Sequence, residues 1–184
     1  MELAFTEKLI FRSPTALPVE LLDLMEKHFD ELNFVDGEIG TSTRLEKDKR
    51  NSDINFIPWD EWIPAMMWSI MTTANQEYFK FDLEYWESGI QATRYRGEDK
   101  QFYDWHFDEL PNVEKQRKLS CSLLLNDGYE GGELQFDHCH RKPSISPKRG
   151  EIVIFPAWLP HRVTQVTSGT RKSLVGWAWG PPFR

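Results

Sequence analysis

The segment Phe102–Asp108 reads Phe-Tyr-Asp-Trp-His-Phe-Asp and is predicted to form a β-strand. Within it, His106 and Asp108 are two residues apart. Side chains at positions i and i+2 of a strand point to the same face, so the imidazole and the carboxylate are expected to project into one space. A hydrogen-bonded pair on a strand face is the plainer interpretation, and the segment alone does not decide between the two.

A second histidine suggests what this pair could bind. His161 lies in the segment Trp158–Val163, after an apolar run, and is predicted to begin a later strand. Two histidines and one carboxylate that leave coordination positions open form the ligand set of non-haem Fe(II) oxygenases. A lone histidine is more often structural or exposed than a ligand. The three residues in combination nevertheless predict a metal site.

A guanidinium and a hydroxyl follow on alternate residues, at Arg171 and Ser173. This pair suits the distal carboxylate of a keto-acid co-substrate. His161 and Arg171 flank the turn at 168–170, so we expect them to lie within a few residues of each other across one hairpin ladder. A surface arginine in a Thr-Arg-Lys run is the plainer alternative.

Composition and charge narrow the class of protein. With 40% hydrophobic and 14% aromatic residues, the 184 residues are expected to form a single domain, 1–184, with a sizeable core. A net charge of −7 argues against nucleic acid as the main partner. Cys121 and Cys139 do not make a disulfide framework and favour a reducing compartment. We see no signal peptide in residues 1–12 and no membrane-spanning run, and therefore expect a soluble, intracellular, cytoplasmic protein.

Two amphipathic helices are predicted ahead of a strand-rich half. They span Val19–Leu32 and Glu61–Phe79, with Asp60 as a cap for the second, and the charged stretch 36–55 between them is predicted to be a loop. Turn residues at 126–132 are expected to punctuate a hairpin. Short strands are predicted at 80–87, 89–96, 102–108, 117–126, 132–138, 151–155, 161–167 and 171–179.

The predicted fold class is therefore mainly β with supporting helices. Residues 1–80 are expected to form mostly supporting helices and loop. Residues 81–184 are expected to form the core, a double-stranded β-helix of the jelly-roll, cupin-like kind. The mouth of such a barrel receives alternate strand residues, and the metal site is expected there.

Motifs within residues 91–179 resemble those of a known family. They are Tyr95, the segment Phe102–Asp108, Gly131-Gly132-Glu133-Leu134, Gly150–Pro156, Pro160–Val163 and the pair Arg171 and Ser173. In order and spacing they are similar to the prolyl-4-hydroxylase-like branch of the 2-oxoglutarate and Fe(II)-dependent dioxygenases, close to its bacterial and phage members. The resemblance covers about half of the chain, and residues 1–80 match only loosely.

The resemblance implies a role for each matching residue. His106, Asp108 and His161 would bind Fe(II), leaving positions for 2-oxoglutarate and O2. Arg171 would pair with the distal carboxylate of 2-oxoglutarate, with hydrogen bonds from Ser173 and Tyr95, and ascorbate is a further candidate cofactor. The reaction implied is hydroxylation of a C–H bond, coupled to decarboxylation of 2-oxoglutarate to succinate and CO2.

Neighbouring aromatic and apolar residues are expected to complete the site. Tyr103 would line the iron pocket from the opposite side of the pleat, or merely pack. Trp177, six residues past Arg171, would lie on the same strand face and could wall the site. Apolar walls are expected to limit access of solvent to the metal, and the residues assigned to them are Phe107, Leu123 and Phe155.

The sequence also departs from the family pattern. Some relatives carry a tyrosine that touches the co-substrate in the strand corresponding to Leu119–Asn126, and this chain has none there. Collagen-type prolyl hydroxylases usually have lysine where Arg171 stands. Nucleic-acid demethylases of the superfamily tend to carry a second arginine near position 177, where this chain has tryptophan.

Several alternatives remain open on the sequence. The substrate expected from the resemblance is a prolyl residue in a peptide or protein, and the first alternative is a free amino acid or small metabolite. A non-catalytic jelly-roll binding module and a zinc hydrolase are alternatives of other kinds. His138 and His140 could bind a second metal, but a strand end or loop is the favoured interpretation because no further ligand is evident. The sequence gives no indication of the oligomeric state.

Overall fold

The computed structural model describes residues 9–13, 15–37, 46–109, 114–138 and 143–183. The helices are α1 (Val19–Asp30) and α2 (Trp62–Ala74), and a π-helical turn, Asn75–Phe79, extends α2. The strands are β1 (Phe11–Arg12), β2 (Val35–Asp36), β3 (Arg50–Asn51), β4 (Asp53–Pro58), β5 (Tyr85–Trp86), β6 (Gly89–Arg96), β7 (Phe102–His106), β8 (Gln116–Leu124), β9 (Glu130–Gly131), β10 (Leu134–Phe136), β11 (Ser144–Ile145), β12 (Ile152–Pro156), β13 (His161–Val163), β14 (Val166–Ser168) and β15 (Thr170–Gly180).

The strands form two antiparallel sheets that face each other. The major sheet has the order β1-β12-β8-β15-β6-β4-β2, with β5 paired to β15. The minor sheet has the order β11-β10-β13-β7-β3, and β14 and β9 form a separate two-stranded ribbon. Buried side chains from both sheets pack together between them, among them Tyr95, Leu134, Phe136, Phe155 and Val163. This is the predicted mainly β, jelly-roll architecture with supporting helices.

Both helices cover the outer face of the major sheet. Met25 and Phe29 of α1 and Met67 and Met71 of α2 are buried there against apolar residues of the strands. Strand β8 shows how the two faces differ. Its Leu119, Cys121 and Leu123 lie in this helix-side cluster, whereas its serines face the space between the sheets. The alternation of a strand therefore separates a hydrophobic core from a polar site.

The predicted boundaries hold approximately for both helices and for β6, β7, β8, β12 and β15. They fail for 80–87, where only β5 is a strand, for 161–167, which divides into β13 and β14 of different sheets, and in the segment 36–55. Strand β3 and the first residues of β4 lie in that stretch, which was predicted to be a loop, and β4 pairs along its length with β6. The prediction failed because the stretch is highly charged and lacks apolar alternation, while its pairing is long-range and invisible locally. Residues 38–45 lie outside the described part. The second helix begins at Trp62, with Glu61 rather than Asp60 as its N-cap residue.

The two predicted hairpins are also wrong. β13 pairs with β7 and β10 in the minor sheet, whereas β15 pairs with β6 and β8 in the major sheet, so His161 and Arg171 are not ladder neighbours. Likewise β8 and β10 belong to different sheets, although turn residues lie between them. A turn signal marks where the chain reverses but does not say which sheet the next strand joins.

Removing the Phe29 side chain should destabilise the protein because this residue joins α1 to the major sheet and is 0% exposed. We expect Phe29→Ala to lower the free energy of unfolding by about 3–5 kcal/mol, the usual cost of a large aromatic cavity. Leu24→Ala is the matched control, since Leu24 lies on the same helix and is 54% exposed. Urea denaturation measures both, and equal effects of the two changes would contradict this packing.

The buried carboxylate of Glu151 fastens β1 to the sheet and should make stability depend on pH. Its oxygens accept hydrogen bonds from Arg12 Nε (2.5 Å) and Nη2 (2.8 Å) and from the Lys148 backbone N–H (2.9 Å). Burial by itself raises the pKa of Glu151, but these donors outweigh burial and hold the pKa below its ordinary value of 4.5. The carboxylate thus stabilises the fold above the unfolded-state pKa, and this stabilisation is lost as the pH falls through the folded-state pKa.

We therefore expect Glu151→Gln to cost about 1–3 kcal/mol at pH 7, where the wild-type group is charged and hydrogen-bonded. The difference between wild type and variant should shrink as the pH is lowered past 4.5. Denaturation curves recorded from pH 7 to pH 3 measure it, with the exposed Glu130→Gln change as control. A difference that stays constant with pH would show that the Glu151 charge does not stabilise the fold.

Candidate metal centre and active-site cavity

The two predicted histidines and the carboxylate meet at one end of the minor sheet. His106 ends β7, His161 begins β13, and the two residues pair directly opposite each other in the ladder. Asp108 follows two residues after His106, and its oxygens lie 3.7 Å from His106 Nε2 and 3.4 Å from His161 Nε2. One ligand atom of each residue lies within 4.8 Å of the others. In the described part of the chain, this is the only group of three such residues.

Hydrogen bonds fix which nitrogen of each imidazole faces the centre. His106 Nδ1 lies 2.7 Å from the carbonyl oxygen of Asp104, and His161 Nδ1 lies 2.9 Å from that of Leu159. A carbonyl only accepts, so Nδ1 carries a proton and donates in both cases, and Nε2 is the nitrogen that faces Asp108. The Ser120 hydroxyl donates to Asp108 Oδ2 at 2.7 Å. Each of the three residues is thus oriented by a second group, as metal ligands usually are.

The protonation states of His106 and Asp108 also suit a metal ion. Burial, together with the neighbouring His161 imidazole, lowers the pKa of His106 to about 3. Burial raises the pKa of Asp108, but the His161 and His106 imidazoles and the Ser120 hydroxyl outweigh it and hold that pKa below its ordinary value. At neutral pH His106 is therefore neutral and Asp108 is ionised. These are the forms that coordinate metals, and the nitrogen and oxygen donors fit Fe(II).

A cavity of about 570 Å³ between the sheets joins this centre to Arg171. Arg171 is 1% exposed, and its Nη1 donates to Ser173 Oγ at 2.9 Å. Its Nε and Nη2 have no hydrogen-bond partner among the described residues. Because an uncompensated buried charge is costly, the guanidinium is suited to an anion inside the cavity. Two donors on one planar group match a carboxylate.

Tyr95 and Tyr103 both reach this cavity, as the sequence predicted. Tyr95 lies opposite Arg171 in the β6–β15 ladder, and the Arg171 guanidinium carbon is 5.7 Å from its ring centre. Burial raises the pKa of Tyr95, and it raises the pKa of Tyr103 to about 12. Both phenols are therefore protonated at neutral pH and can donate hydrogen bonds to an anion or a substrate.

The position of Tyr103 differs from the one expected from an ideal strand. Its ring stacks on the His106 imidazole, with 3.5 Å between centroids and 11° between planes. Three residues apart on a regular strand, the two would point to opposite faces. The ladder pairs Val163 with Tyr103 but His161 with His106, so β7 has one extra residue, and this bulge brings both rings to the same side. The Arg50 guanidinium also lies over the Tyr103 ring, with its carbon 4.6 Å from the ring centre.

Trp177 walls the cavity on the Arg171 face of β15, as predicted. The Arg117 guanidinium lies 4.1 Å over its ring and donates to Glu87 at 2.9 Å through Nε and 2.8 Å through Nη2. Arg117, Glu87 and Arg50 all line the cavity, and the sequence analysis identified none of them. The local sequence around a charged residue carries no signal that distinguishes a cavity wall from a solvated surface.

The three predicted apolar walls differ in their positions. Phe155 packs against His161 with 4.7 Å between ring centres, as expected. Leu123 was wrongly assigned, because it points to the helix side of the major sheet. Phe107 lines the cavity but is 61% exposed, so it lies at the mouth instead of closing off solvent. His138 lies near Trp158, with 6.4 Å between ring centres, whereas His140 of the predicted second metal pair lies outside the described residues.

Comparison with known proteins places the chain in a family. Residues 90–179 match the model of the 2OG-Fe(II) oxygenase superfamily. A PKHD-type hydroxylase from Synechococcus sp. (strain CC9311) is 31% identical over 161 residues, covering 84% of this chain and 70% of that protein. Another, from Crocosphaera subtropica, is 30% identical over 166 residues, covering 86% and 71%.

Solved structures share the fold at lower identity. A Pseudomonas putida prolyl-4-hydroxylase has a TM-score of 0.73 and 21% identity, covering 92% of this chain and 91% of its own. The viral collagen prolyl hydroxylase of Paramecium Bursaria Chlorella virus-1 has a TM-score of 0.71 and 18% identity, covering 96% and 99%. This chain therefore belongs to the 2OG-Fe(II) oxygenase superfamily. It is a 2-oxoglutarate-dependent dioxygenase of the prolyl-4-hydroxylase-like type. Among the described helices, none is long and apolar enough to cross a membrane.

Proposed function

We propose that this enzyme hydroxylates a prolyl residue in a peptide or protein, with iron held by His106, Asp108 and His161 and 2-oxoglutarate held by Arg171. One observation carries the assignment of the site. A group of two histidines and one carboxylate and a buried guanidinium with unused donors open into the same cavity. A metal alone would leave Arg171 unexplained, and an anion alone would leave the converging imidazoles unexplained. A keto acid bound to iron accounts for both.

Each ligand of the iron would be held in place by the fold. The two backbone carbonyls that accept from Nδ1 keep the imidazoles turned so that Nε2 faces inwards. The Ser120 hydroxyl holds one carboxylate oxygen of Asp108, and the other oxygen faces His106. Three protein ligands leave coordination positions open, as a catalytic rather than a structural site requires. When bound, Fe(II) and 2-oxoglutarate would supply the oxidising chemistry together with O2, of which one atom would enter succinate and the other the new hydroxyl group, with release of CO2.

The co-substrate would lie between the metal and Arg171. The guanidinium pairs with its distal carboxylate, and Ser173 orients the guanidinium through the bond from Nη1. Tyr95, buried and protonated, is a further donor beside Arg171. Tyr103 is assigned to the same site: its ring stacks on His106, and burial raises the pKa of its phenol to about 12, so that it stays protonated at the cavity. Ascorbate stays a prediction from the family resemblance.

The shape of the cavity mouth supports a polypeptide substrate. Phe107 and Phe56 both line the cavity and are 61% and 50% exposed, so the mouth is open and flanked by aromatic rings. A structural neighbour with a TM-score of 0.76 and 17% identity is a Trichoplax adhaerens prolyl hydroxylase in complex with a hypoxia-inducible-factor peptide. The PKHD-type relatives are themselves hydroxylases. We also propose that residues 1–184 form one domain, since β1 and β4 pair within the major sheet.

The assignment predicts turnover that depends both on the metal ligands and on the arginine proposed to bind 2-oxoglutarate. We expect succinate to form from 2-oxoglutarate under air with added Fe(II), and a proline-containing peptide to stimulate it more than free proline does. His106→Ala should abolish turnover, and Arg171→Lys should raise the KM for 2-oxoglutarate about tenfold or more, because lysine keeps the charge but loses the planar fork. Mass spectrometry of the peptide should show added oxygen on proline.

The outcomes of this assay separate the class of enzyme from its substrate. Stimulation by free proline alone would favour a small-molecule substrate and would contradict the polypeptide assignment. Failure of the wild-type protein to bind Fe(II) and 2-oxoglutarate would contradict the assignment of the site itself.

The hydrogen bond from Ser120 should be measurable in the metal affinity. Ser120→Ala removes the group that orients Asp108, and we expect metal affinity to fall about 10–100-fold, as for other groups that orient metal ligands. Ser122→Ala is the matched control, because Ser122 lies two residues further along the same strand face and lines the same cavity. Competition titration with a metal-binding dye measures both. An equal loss in the two variants would mean that Ser120 does not act through Asp108.

A further inference from the structure

In the motif Gly131-Gly132-Glu133-Leu134, Leu134 lines the cavity, but the two glycines have no part in the site described so far. The motif runs from the end of β9 to the start of β10. Both glycines have positive φ, 74° for Gly131 and 63° for Gly132, in the left-handed region that other residues adopt only at a cost. The backbone conformation alone would explain a preference for glycine, but it would not explain what each glycine approaches.

A side chain would meet different neighbours at the two positions. A Cβ on Gly131 would lie 2.1 Å from the backbone oxygen of Gln165, so this glycine allows the two strands of the β9–β14 ribbon to approach. A Cβ on Gly132 would lie 2.8 Å from Cδ of Arg171 and 2.9 Å from Cγ2 of Val166. The space that a side chain at position 132 would occupy is therefore taken by the aliphatic stem of the arginine whose guanidinium reaches into the cavity.

Neither the backbone of Gly132 nor Val166 is free to move away from an added methyl group. The Gly132 N–H donates to the Gln165 oxygen at 3.1 Å, and the Thr164 N–H donates to the Glu133 oxygen at 2.9 Å. Val166 is fully buried in the core between the sheets. The side chain of Arg171 is the part of this contact that can change its torsions. A displacement at Cδ moves the guanidinium, whose nitrogen Nε is bonded directly to Cδ.

We propose that Gly132 is a positioning residue for the co-substrate: its missing side chain leaves the space through which Arg171 extends into the cavity. This inference rests on the proposed role of Arg171 in binding 2-oxoglutarate. It gives the glycine pair two separate tasks, since Gly131 permits the pairing of β9 with β14 and Gly132 sets where the guanidinium lies.

A third glycine in the same region supplies a matched control. Gly128 has φ 82°, and a Cβ placed on it would meet nothing within 4 Å. Gly128→Ala therefore introduces the same kind of left-handed strain as Gly132→Ala without touching Arg171. Any effect that the two variants share reports backbone strain, and any effect confined to Gly132→Ala reports the contact with the arginine stem.

The test measures binding in the absence of turnover. Wild type, Gly132→Ala, Gly128→Ala and Arg171→Ala are loaded with Zn²⁺, which does not change its redox state, and 2-oxoglutarate is titrated in by calorimetry. We expect Gly132→Ala to bind 2-oxoglutarate about tenfold more weakly than Gly128→Ala, the loss expected when hydrogen bonds to a charged group are misaligned. Zn²⁺ affinity should be the same in both glycine variants, because the metal ligands lie on other strands.

A double-variant cycle tests whether the effect passes through Arg171. In the wild-type background, Gly132→Ala should lower the thermal unfolding midpoint more than Gly128→Ala does. In the Arg171→Ala background, which removes the stem, this difference should shrink. If Gly132→Ala does not fold, folding of Gly132→Ala with Arg171→Ala would still demonstrate the clash. Failure of both, with Gly128→Ala folded, would overturn the proposal.

The results also separate this inference from the proposed function. If wild type binds 2-oxoglutarate, Arg171→Ala loses it and Gly132→Ala binds as well as Gly128→Ala, the positioning role is wrong and the co-substrate site stands. If wild type does not bind 2-oxoglutarate, the proposed function fails, and the positioning role for the co-substrate fails with it.

Discussion

The register between β7 and β13 is the constraint on which the site depends. Because His161 pairs directly opposite His106, two imidazoles from distant parts of the sequence are brought side by side, and Asp108 completes the group just beyond the strand. A shift of one residue would turn one imidazole to the other face of the sheet. The bulge in β7 is part of the same constraint, since it also turns the Tyr103 ring onto His106.

The second requirement is a sheet with two chemically different faces. On the outer face of the major sheet, apolar residues such as Leu119 and Leu123 pack against the helices. On the inner face, Ser120 orients Asp108, and Arg171 and Ser173 form the opposite end of the cavity. Apolar packing on the helix side therefore stabilises the strands of the major sheet, while the opposite face of the same strands carries polar groups. Cys121 belongs to the core side, and burial raises the pKa of its thiol to about 12, so it is an inert packing residue.

The cavity combines charges that the fold keeps paired with one that it leaves available. Arg117 is fixed by Glu87 and by the Trp177 ring. Arg171 differs, because only one of its nitrogens has a partner among the residues described. In the proposed enzyme, that difference determines where an anionic co-substrate binds. The approach of Gly132 to the arginine stem links this binding group to the β9–β14 ribbon, which contributes none of the proposed ligands.

The sequence by itself was enough to predict both helices, most of the long strands and the candidate residues of the site. Helical spacing predicted both helices, and the motifs predicted His106, Asp108, His161, Arg171 and Tyr95, which the structure gathers around one cavity. Local patterns are sufficient for this because they arise within one strand or one helix. Tertiary structure decided which strands pair, and it overturned the hairpin expected to join His161 and Arg171 and the loop expected at 36–55. It also decided that Arg50, Glu87 and Arg117 line the cavity and that Gly132 touches Arg171. These contacts join residues far apart in the chain, and no local spacing of residue types specifies them.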